Sequence, residues 1–347
     1  LYYYANGMTT AHYDAKAHLL VARRMVDSLT PGYSELGAHW LPLIHLVYLP
    51  FVIFDAQYRS GFLPSLISVL AFALSGVLAY KISFRVTGSI TAGVFAAVVL
   101  LANPNLLYLQ SCPLTEPVYM ALLLLATHSL MVWREDGCTG LPWGAAVWTA
   151  LGAMCRYEGW VFLGGVVFLL AADFGARREQ RPRILRGGAL FLAAAGVPAL
   201  AHFGYIFLRL GGSFFHRVAQ GHPDPYLTHQ RPFLSSLYHL AELSQVATLL
   251  PLLAAAAGVL FVALRRDAFG KRVPLLLLWL PSAINIAALY WGLVYRVRYS
   301  LLLLPAVAIF GSLATTSEPG KRWALASMLG VILGLPWFFW FAGGAGS

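Results

Sequence analysis

Asp14, Glu116, Glu158, Arg296 and Arg298 stand beside long apolar runs in a chain that is 59% hydrophobic and only 11% charged. An ionisable side chain at the mouth of a membrane span is unfavourable unless it is paired or used. Asp14 lies in the string His12-Tyr13-Asp14-Ala15-Lys16-Ala17-His18. A carboxylate there suits removal of a proton from a hydroxyl or amine, and it also suits capping of a helix N-terminus. His18, at the end of the same string, joins it as a candidate substrate contact. Glu116, in Cys112-Pro113-Leu114-Thr115-Glu116-Pro117, reads as a first-turn carboxylate favoured by the helix dipole or as a ligand aimed into a cavity. Arg156-Tyr157-Glu158-Gly159-Trp160 reads as a tight charged turn between two short spans, against the alternative of an aromatic interfacial belt with an Arg–Glu pair. In Tyr295-Arg296-Val297-Arg298-Tyr299 two arginines fall on the side of the membrane where basic residues are disfavoured. Arginine forks bind phosphate bidentately and keep their charge. Alternation along an extended turn puts both on one side, for a bound phosphate or for lipid headgroups in general.

The elements that must position these residues are membrane spans. A mean hydropathy of +0.70 excludes an ordinary soluble domain. The 347 residues carry 24 Lys and Arg against 14 Asp and Glu, a formal charge of +10. The basic residues cluster between apolar runs, as membrane topology demands, so nucleic acid is not the partner. Spans are predicted at 62–80, 88–103, 116–133, 143–155, 159–173, 187–209, 246–264, 274–294, 299–313 and 323–342. This makes an all-α polytopic membrane protein of about ten transmembrane helices, some shorter than the ~20 residues of a simple crossing. With those spans, Lys81, Arg85, Arg134, the run Arg177 to Arg186, the run Arg265 to Arg272, and Lys321 with Arg322 all fall on one side. That side is the cytoplasm. Segments 1–61, 104–115, 156–158, 210–245 and 295–298 then face outward, and every candidate residue lies in or beside one of them.

Within 1–61, Tyr13 to Leu29 sets Leu19, Leu20, Val26 and Leu29 against Lys16, Arg23, Arg24 and Asp27, which predicts an amphipathic interfacial helix ended by Pro31-Gly32. Trp40 to Phe54 carries Pro42, His45 and Pro50 and is too broken for a span, so a second interfacial or re-entrant helix is expected. The polar loop 210–245, with His216, His222, His229 and His239, is long enough for a lid; its histidine spacing is not that of a metal site. His128 and His202 read as packing residues within spans. Cys112, Cys138 and Cys155 form no framework, although Cys112 and Cys155 fall close enough to one face for a bridge to be considered. The opening Leu1-Tyr2-Tyr3-Tyr4 looks like the outer end of an earlier span, and residues 1–347 read as one transmembrane domain.

The stretch Tyr13-Asp14-Ala15-Lys16-Ala17-His18-Leu19, followed by Arg23-Arg24, Asp27-Ser28-Leu29-Thr30-Pro31-Gly32, Leu36-Gly37 and Trp40-Leu41-Pro42-Leu43, resembles bacterial membrane glycosyltransferases of the GT-C type. Relatives of that family include the protein O-mannosyltransferases and the aminoarabinose transferases. Thr115-Glu116-Pro117, Arg156-Tyr157-Glu158-Gly159, and Arg298-Tyr299 with Leu301 to Pro305 resemble its later motifs. The resemblance implies a polyprenyl-phosphate sugar donor, inverting transfer on the outer face of the cytoplasmic membrane, and an acidic base in the first outer loop, the position of Asp14. Members often have two adjacent acids there; this chain has one, which leaves a divalent cation open as a cofactor.

The sequence therefore leads to a glycosyltransferase with Asp14 as base, Arg296 and Arg298 on the phosphate, and Glu116, Arg156, Glu158 and His18 on the substrate. The acceptor is a protein, lipid or glycan. The alternatives are a non-catalytic membrane subunit of a larger assembly and a transporter. Against transport, the ionisable residues gather at one face and no internal repeat is visible.

Overall fold

A computed structural model of the chain describes residues 1–37, 40–210, 232–247, 249–264, 272–291, 297–316 and 319–328. All regular structure among the described residues is helical. A one-turn helix α1 (Tyr2–Ala5) is followed by α2 (Tyr13–Arg24), α3 (Pro42–Val52) and α4 (Asp55–Ser60). The helices α5 (Phe62–Thr87), α6 (Ile90–Leu101), α7 (Pro104–Leu109), α8 (Thr115–Glu135), α9 (Trp143–Cys155) and α10 (Glu158–Ala176) come next. They are followed by α11 (Arg181–Phe191), α12 (Val197–Leu210), α13 (Pro232–Ala247), α14 (Leu249–Leu264), α15 (Pro281–Trp291) and α16 (Leu304–Leu313).

Five helical runs are long and apolar enough to cross a membrane: Phe62–Thr87, Thr115–Glu135, Glu158–Ala176, Arg178–Arg209 and Arg298–Thr316. The expected spans at 88–103 and 143–155 appear as the shorter apolar helices α6 and α9, of 12 and 13 residues. Those at 246–264 and 274–294 likewise contain the shorter apolar runs Pro251–Leu260 and Arg272–Ala287. Residues 329–342 of the last expected span lie outside the described residues. The 32-residue run Arg178–Arg209 begins nine residues before the predicted 187, because the 3₁₀ turn Arg178–Gln180 and the first turns of α11 are already helical, and a five-residue π turn, Leu192–Gly196, lies within it.

Burial sorts these helices. In the run containing α16, 83% of the most apolar window is buried, and in α8 78%, so both lie at the centre. In α5 the buried positions include Ser65, Ser68, Phe72, Ser75, Gly76, Ala79 and Ser83, a stripe of mostly small residues at helical spacing. Leu66, Leu70, Leu74, Val77 and Phe84 of the same helix are exposed. Small side chains let helices approach closely where lipid provides no hydrophobic drive for association, and the leucines are left for the lipid.

Two ends can be distinguished. At one, Arg85 pairs with Glu135 at 2.7 Å, and Arg134 makes a buried two-point contact with Asp173 at 2.6 and 2.8 Å. Arg177 also reaches Asp173, at 3.2 Å. At the other end, α2 to α4 form a platform. Arg23 knits it together, donating to the carbonyls of Val52 and Ile53 and pairing with Asp27 and Asp55. Leu19, Ala22, Ile44, Tyr48 and Val52 bury its underside, with Val118 of α8 packed against them. The amphipathic helix expected to Pro31-Gly32 stops earlier, at Arg24. The Ser28 hydroxyl accepts from the Thr30 amide and the Gly32 amide donates to the Met25 carbonyl, a local turn that competes with helix.

Candidate active site

Asp14, Glu116, Arg156, Glu158 and Arg298, drawn from four distant parts of the chain, meet at the platform end. The turn between α9 and α10 carries Arg156. Its Nε and Nη2 donate to both carboxylate oxygens of Glu158, at 3.2 and 2.8 Å, and its Nη1 donates to the Thr115 hydroxyl at 2.7 Å. The same Nη1 is 3.2 Å from Glu116 Oε1. Burial opposes the charge of Arg156, but the carboxylates of Glu158 and Glu116 overcome it, so the guanidinium is held above the ordinary arginine pKa. Its fork is fully occupied. Its geometry is that of a group that fixes two carboxylates in place.

The turn can be this tight because of Gly159. A Cβ at that position would lie 2.4 Å from the Gly152 carbonyl oxygen of α9. Tyr157 and Trp160 pack edge-on at 5.5 Å beside the charged turn.

Arg298 comes from the 3₁₀ stretch Val297–Leu303 that leads into α16. Its Nη2 pairs with Asp14 Oδ2, its Nε lies 3.5 Å from Glu116 Oε1, and its Nη1 lies 3.2 Å from His12 Nε2. The Tyr299 ring sits between the two guanidiniums, 5.3 Å from that of Arg156 and 5.4 Å from that of Arg298. Arg296 lies outside the described residues.

Asp14 is not the helix cap. His12 is, accepting from the Asp14 amide through Nδ1 at 3.2 Å. That bond has a consequence for the ring. With Nδ1 accepting, a neutral His12 carries its proton on Nε2. The other ring nitrogen, Nε2, is the one that lies 3.2 Å from Arg298 Nη1, beside Asp14. The pair of arginines and the three carboxylates leave one negative charge in excess within the described cluster.

His18 is near this cluster but is engaged differently. It is buried, and its Nδ1 is 3.1 Å from His45 Nε2, while His45 Nδ1 is 3.0 Å from the Leu41 carbonyl. The carbonyl can only accept, so His45 carries its proton on Nδ1 and accepts at Nε2. His18 in turn donates from Nδ1, which leaves its Nε2 with a lone pair. Trp40 lies over the His18 ring at 4.8 Å. Burial lowers both imidazoles, His45 to about 4. For His18, burial and then the neighbouring His45, Arg298, Arg156 and His12 push its pKa well below the ordinary value.

Several sequence expectations are corrected. His239 is not a solvated loop residue: it is buried in α13, with its ring 3.0 Å from the Ser282 hydroxyl. Residues 211–231 of the loop at 210–245 lie outside the described residues, and 232–245 are helical. Cys112 and Cys155 are free rather than bridged; their thiols contact the carbonyls of Met8 and Thr115. His202 does pack within its helix, and it also accepts or donates at 2.8 Å to the Tyr33 hydroxyl of the first segment. Among the described residues no group of three His, Cys, Asp or Glu side chains is placed to share a cation. Sequence reasoning passed over His12, Thr115 and Tyr299. Each adjoins or nearly adjoins a residue that it singled out, which was the available signal.

Two solved structures are similar. One is ArnT from Cupriavidus metallidurans in the apo state, with a TM-score of 0.60 and 15% identity, covering 87% of this chain and 54% of that one. The other is the same protein bound to undecaprenyl phosphate, with a TM-score of 0.61 and 16% identity, covering 91% of this chain and 58% of that one. The chain thus spans little more than half the length of these proteins. No protein-family model and no curated protein sequence matches it. The likeness is one of fold: a polytopic, all-α membrane architecture like that of ArnT.

Proposed function

We propose that this chain, with the fold of ArnT, is a membrane glycosyltransferase. It moves a sugar from a polyprenyl-phosphate donor to an acceptor at the outer face of the bacterial cytoplasmic membrane, within one transmembrane domain over residues 1–347. The observation that carries this reading is the convergence of Asp14, Glu116, Arg156, Glu158 and Arg298, from four distant parts of the chain, into one ion-paired cluster at one end of the bundle. Arg298 reaches Asp14 and Glu116, and a guanidinium that pairs with carboxylates can take a phosphate oxygen in their place. That ArnT has been solved with undecaprenyl phosphate supports the lipid class of the donor.

In this reading the phosphate lies on Arg298, with Arg296, two positions earlier in the sequence, as its partner. The acceptor oxygen or nitrogen attacks the anomeric carbon from the face opposite the phosphate, so configuration inverts. The new glycosidic bond forms as the bond from anomeric carbon to phosphate oxygen breaks. The electron pair passes to the phosphate, whose growing charge the guanidiniums stabilise, and the acceptor proton passes to Asp14. Phosphate leaves without help from an acid. Glu116 Oε1 is buried and has no hydrogen-bond donor aligned with it, although both arginines are near; a sugar hydroxyl fits that need. Glu158 supports the same face, and Arg156 positions both carboxylates. His18 presents an accepting Nε2 to the donor or acceptor.

The test is sugar transfer from a panel of synthetic polyprenyl-phosphate sugars by purified protein, wild type beside Asp14→Asn. Loss of a positioned base lowers transfer by about 10²- to 10⁴-fold. Transfer that survives the substitution would move the base elsewhere, and no transfer by the wild type from any donor would sink the enzyme reading.

A further inference from the structure

A cavity lies at the opposite end of the bundle from the carboxylate–arginine cluster. It has a volume of about 720 Å³ and opens between the ends of α5 and α8 and the start of α9. Arg85, Glu135 and Asp136 line its charged part, His128 and Ser129 a part further along α8, and the Trp143 ring, 55% exposed, flanks it. Glu135 and His128 are seven residues apart on one helix, a rise of about 10 Å. The headgroup layer on each side of a bilayer is roughly 5 to 8 Å deep. A cavity at the ends of three membrane helices with this rise covers the headgroup layer and the ester level beneath it.

Its charges are unlike their surroundings. This end of the molecule is rich in arginine, including Arg177, Arg178, Arg181, Arg183 and Arg186. The lining, however, sets one guanidinium against two carboxylates. Arg85 Nη2 and Glu135 Oε2 are paired at 2.7 Å and remain about one-third exposed. With Lys81 close enough to act on the His128 ring, two cations balance the two carboxylates, and a purely anionic headgroup meets no net positive charge here. A zwitterion can lie antiparallel to the existing pair, phosphate beside Arg85 and ammonium beside Glu135 and Asp136, and leave no charge bare. The space is kept partly by Gly144, whose missing Cβ would stand 3.0 Å from the Ser129 hydroxyl.

We propose that this cavity binds the headgroup of a zwitterionic membrane phospholipid with a primary ammonium group, the phosphatidylethanolamine class. A primary ammonium has three donors for the two carboxylates, whereas a choline headgroup has none. The proposal is independent of the chemistry at the other end.

The test uses the full chain in nanodiscs of phosphatidylcholine containing equal small fractions of phosphatidylethanolamine and phosphatidylglycerol. Lipids retained on release are counted by native mass spectrometry. The wild type should retain one phosphatidylethanolamine in preference to both other lipids. The pair E135Q and D136N should lower that retention about tenfold, and G144L, which keeps every charge but fills the space, should lower it too. Equal retention of phosphatidylcholine, preference for phosphatidylglycerol, or retention unchanged in a folded E135Q/D136N protein would each overturn it. Should either variant fail to fold, the wild-type ranking of the three lipids still decides.

Discussion

Arg298 shares its guanidinium between Asp14 and Glu116. A phosphate can reach it only in competition with them. On the proposed function, the donor therefore displaces Asp14 from the arginine and in doing so frees the carboxylate to act as base. This gives Asp14→Asn two opposite effects. Transfer falls, while binding of polyprenyl phosphate itself tightens, by about 3- to 10-fold, because a competing negative charge next to the phosphate has gone. Equilibrium binding of polyprenyl phosphate to the two proteins checks this, and weaker or unchanged binding in Asp14→Asn would remove the exchange from the mechanism. The five charged members of the cluster were legible one by one, because each is an ionisable group beside an apolar run. Their pairing was not. Nothing in the spacing of Arg156 and Arg298, 142 residues apart by subtraction of their positions, says that one is paired with Glu158 and the other with Asp14. The role of His12 as cap was hidden for a similar reason: Asp is the commoner cap, and only the backbone shows which residue precedes the first helical turn.

Two element contacts hold the site in shape. The first is the α9–α10 turn. Gly159→Ala places a methyl group against the Gly152 carbonyl, and backbone cannot step aside as a side chain can. The helices must part, at a cost of about 1–3 kcal/mol, and Arg156 and Glu158 move with them. We expect a lowered unfolding temperature together with lowered transfer; a variant equal to wild type in both would show that the turn has slack. The second contact joins α2 to α3 through His18 and His45. Burial holds His45 at about 4, below the ordinary 6.5. The unfolded chain therefore binds the proton first as pH falls, and stability declines from about pH 6.5 downward, by about 2 kcal/mol at pH 5 from His45. Above pH 6.5 this pair contributes no slope. Thermal unfolding across pH 4.5–8 should show that break, and His45→Gln should flatten it. At this scale the sequence revealed the interfacial helices through their broken apolar pattern. It misplaced the end of α2, where serine and threonine hydroxyls stop a helix that its composition would have continued. It also assigned 232–245 to a loop, because polar residues such as His239 there face a buried partner in the bundle rather than water.

The whole molecule is polarised by charge, and its orientation follows from that rather than from any single helix. The pairs Arg85–Glu135 and Arg134–Asp173 mark one end, and the cluster around Arg298 marks the other. Lysines and arginines crowd the connections at the first end, while at the second the two described cluster arginines are neutralised by carboxylates. Unneutralised basic connections stay in the cytoplasm; on the proposed function the site end therefore faces outward, where a lipid-linked donor would have to present its sugar. Single cysteines can decide this. Leu29 is fully exposed on the platform and Glu179 is exposed at the opposite end, and the three native cysteines are buried. In intact spheroplasts, a membrane-impermeant maleimide should label Leu29→Cys and spare Glu179→Cys, which should react only after the membrane is opened. The reverse pattern would place the carboxylate–arginine cluster in the cytoplasm. The same chemistry would then have to draw on a donor presented from within, and the zwitterionic lipid cavity would open to the outer leaflet.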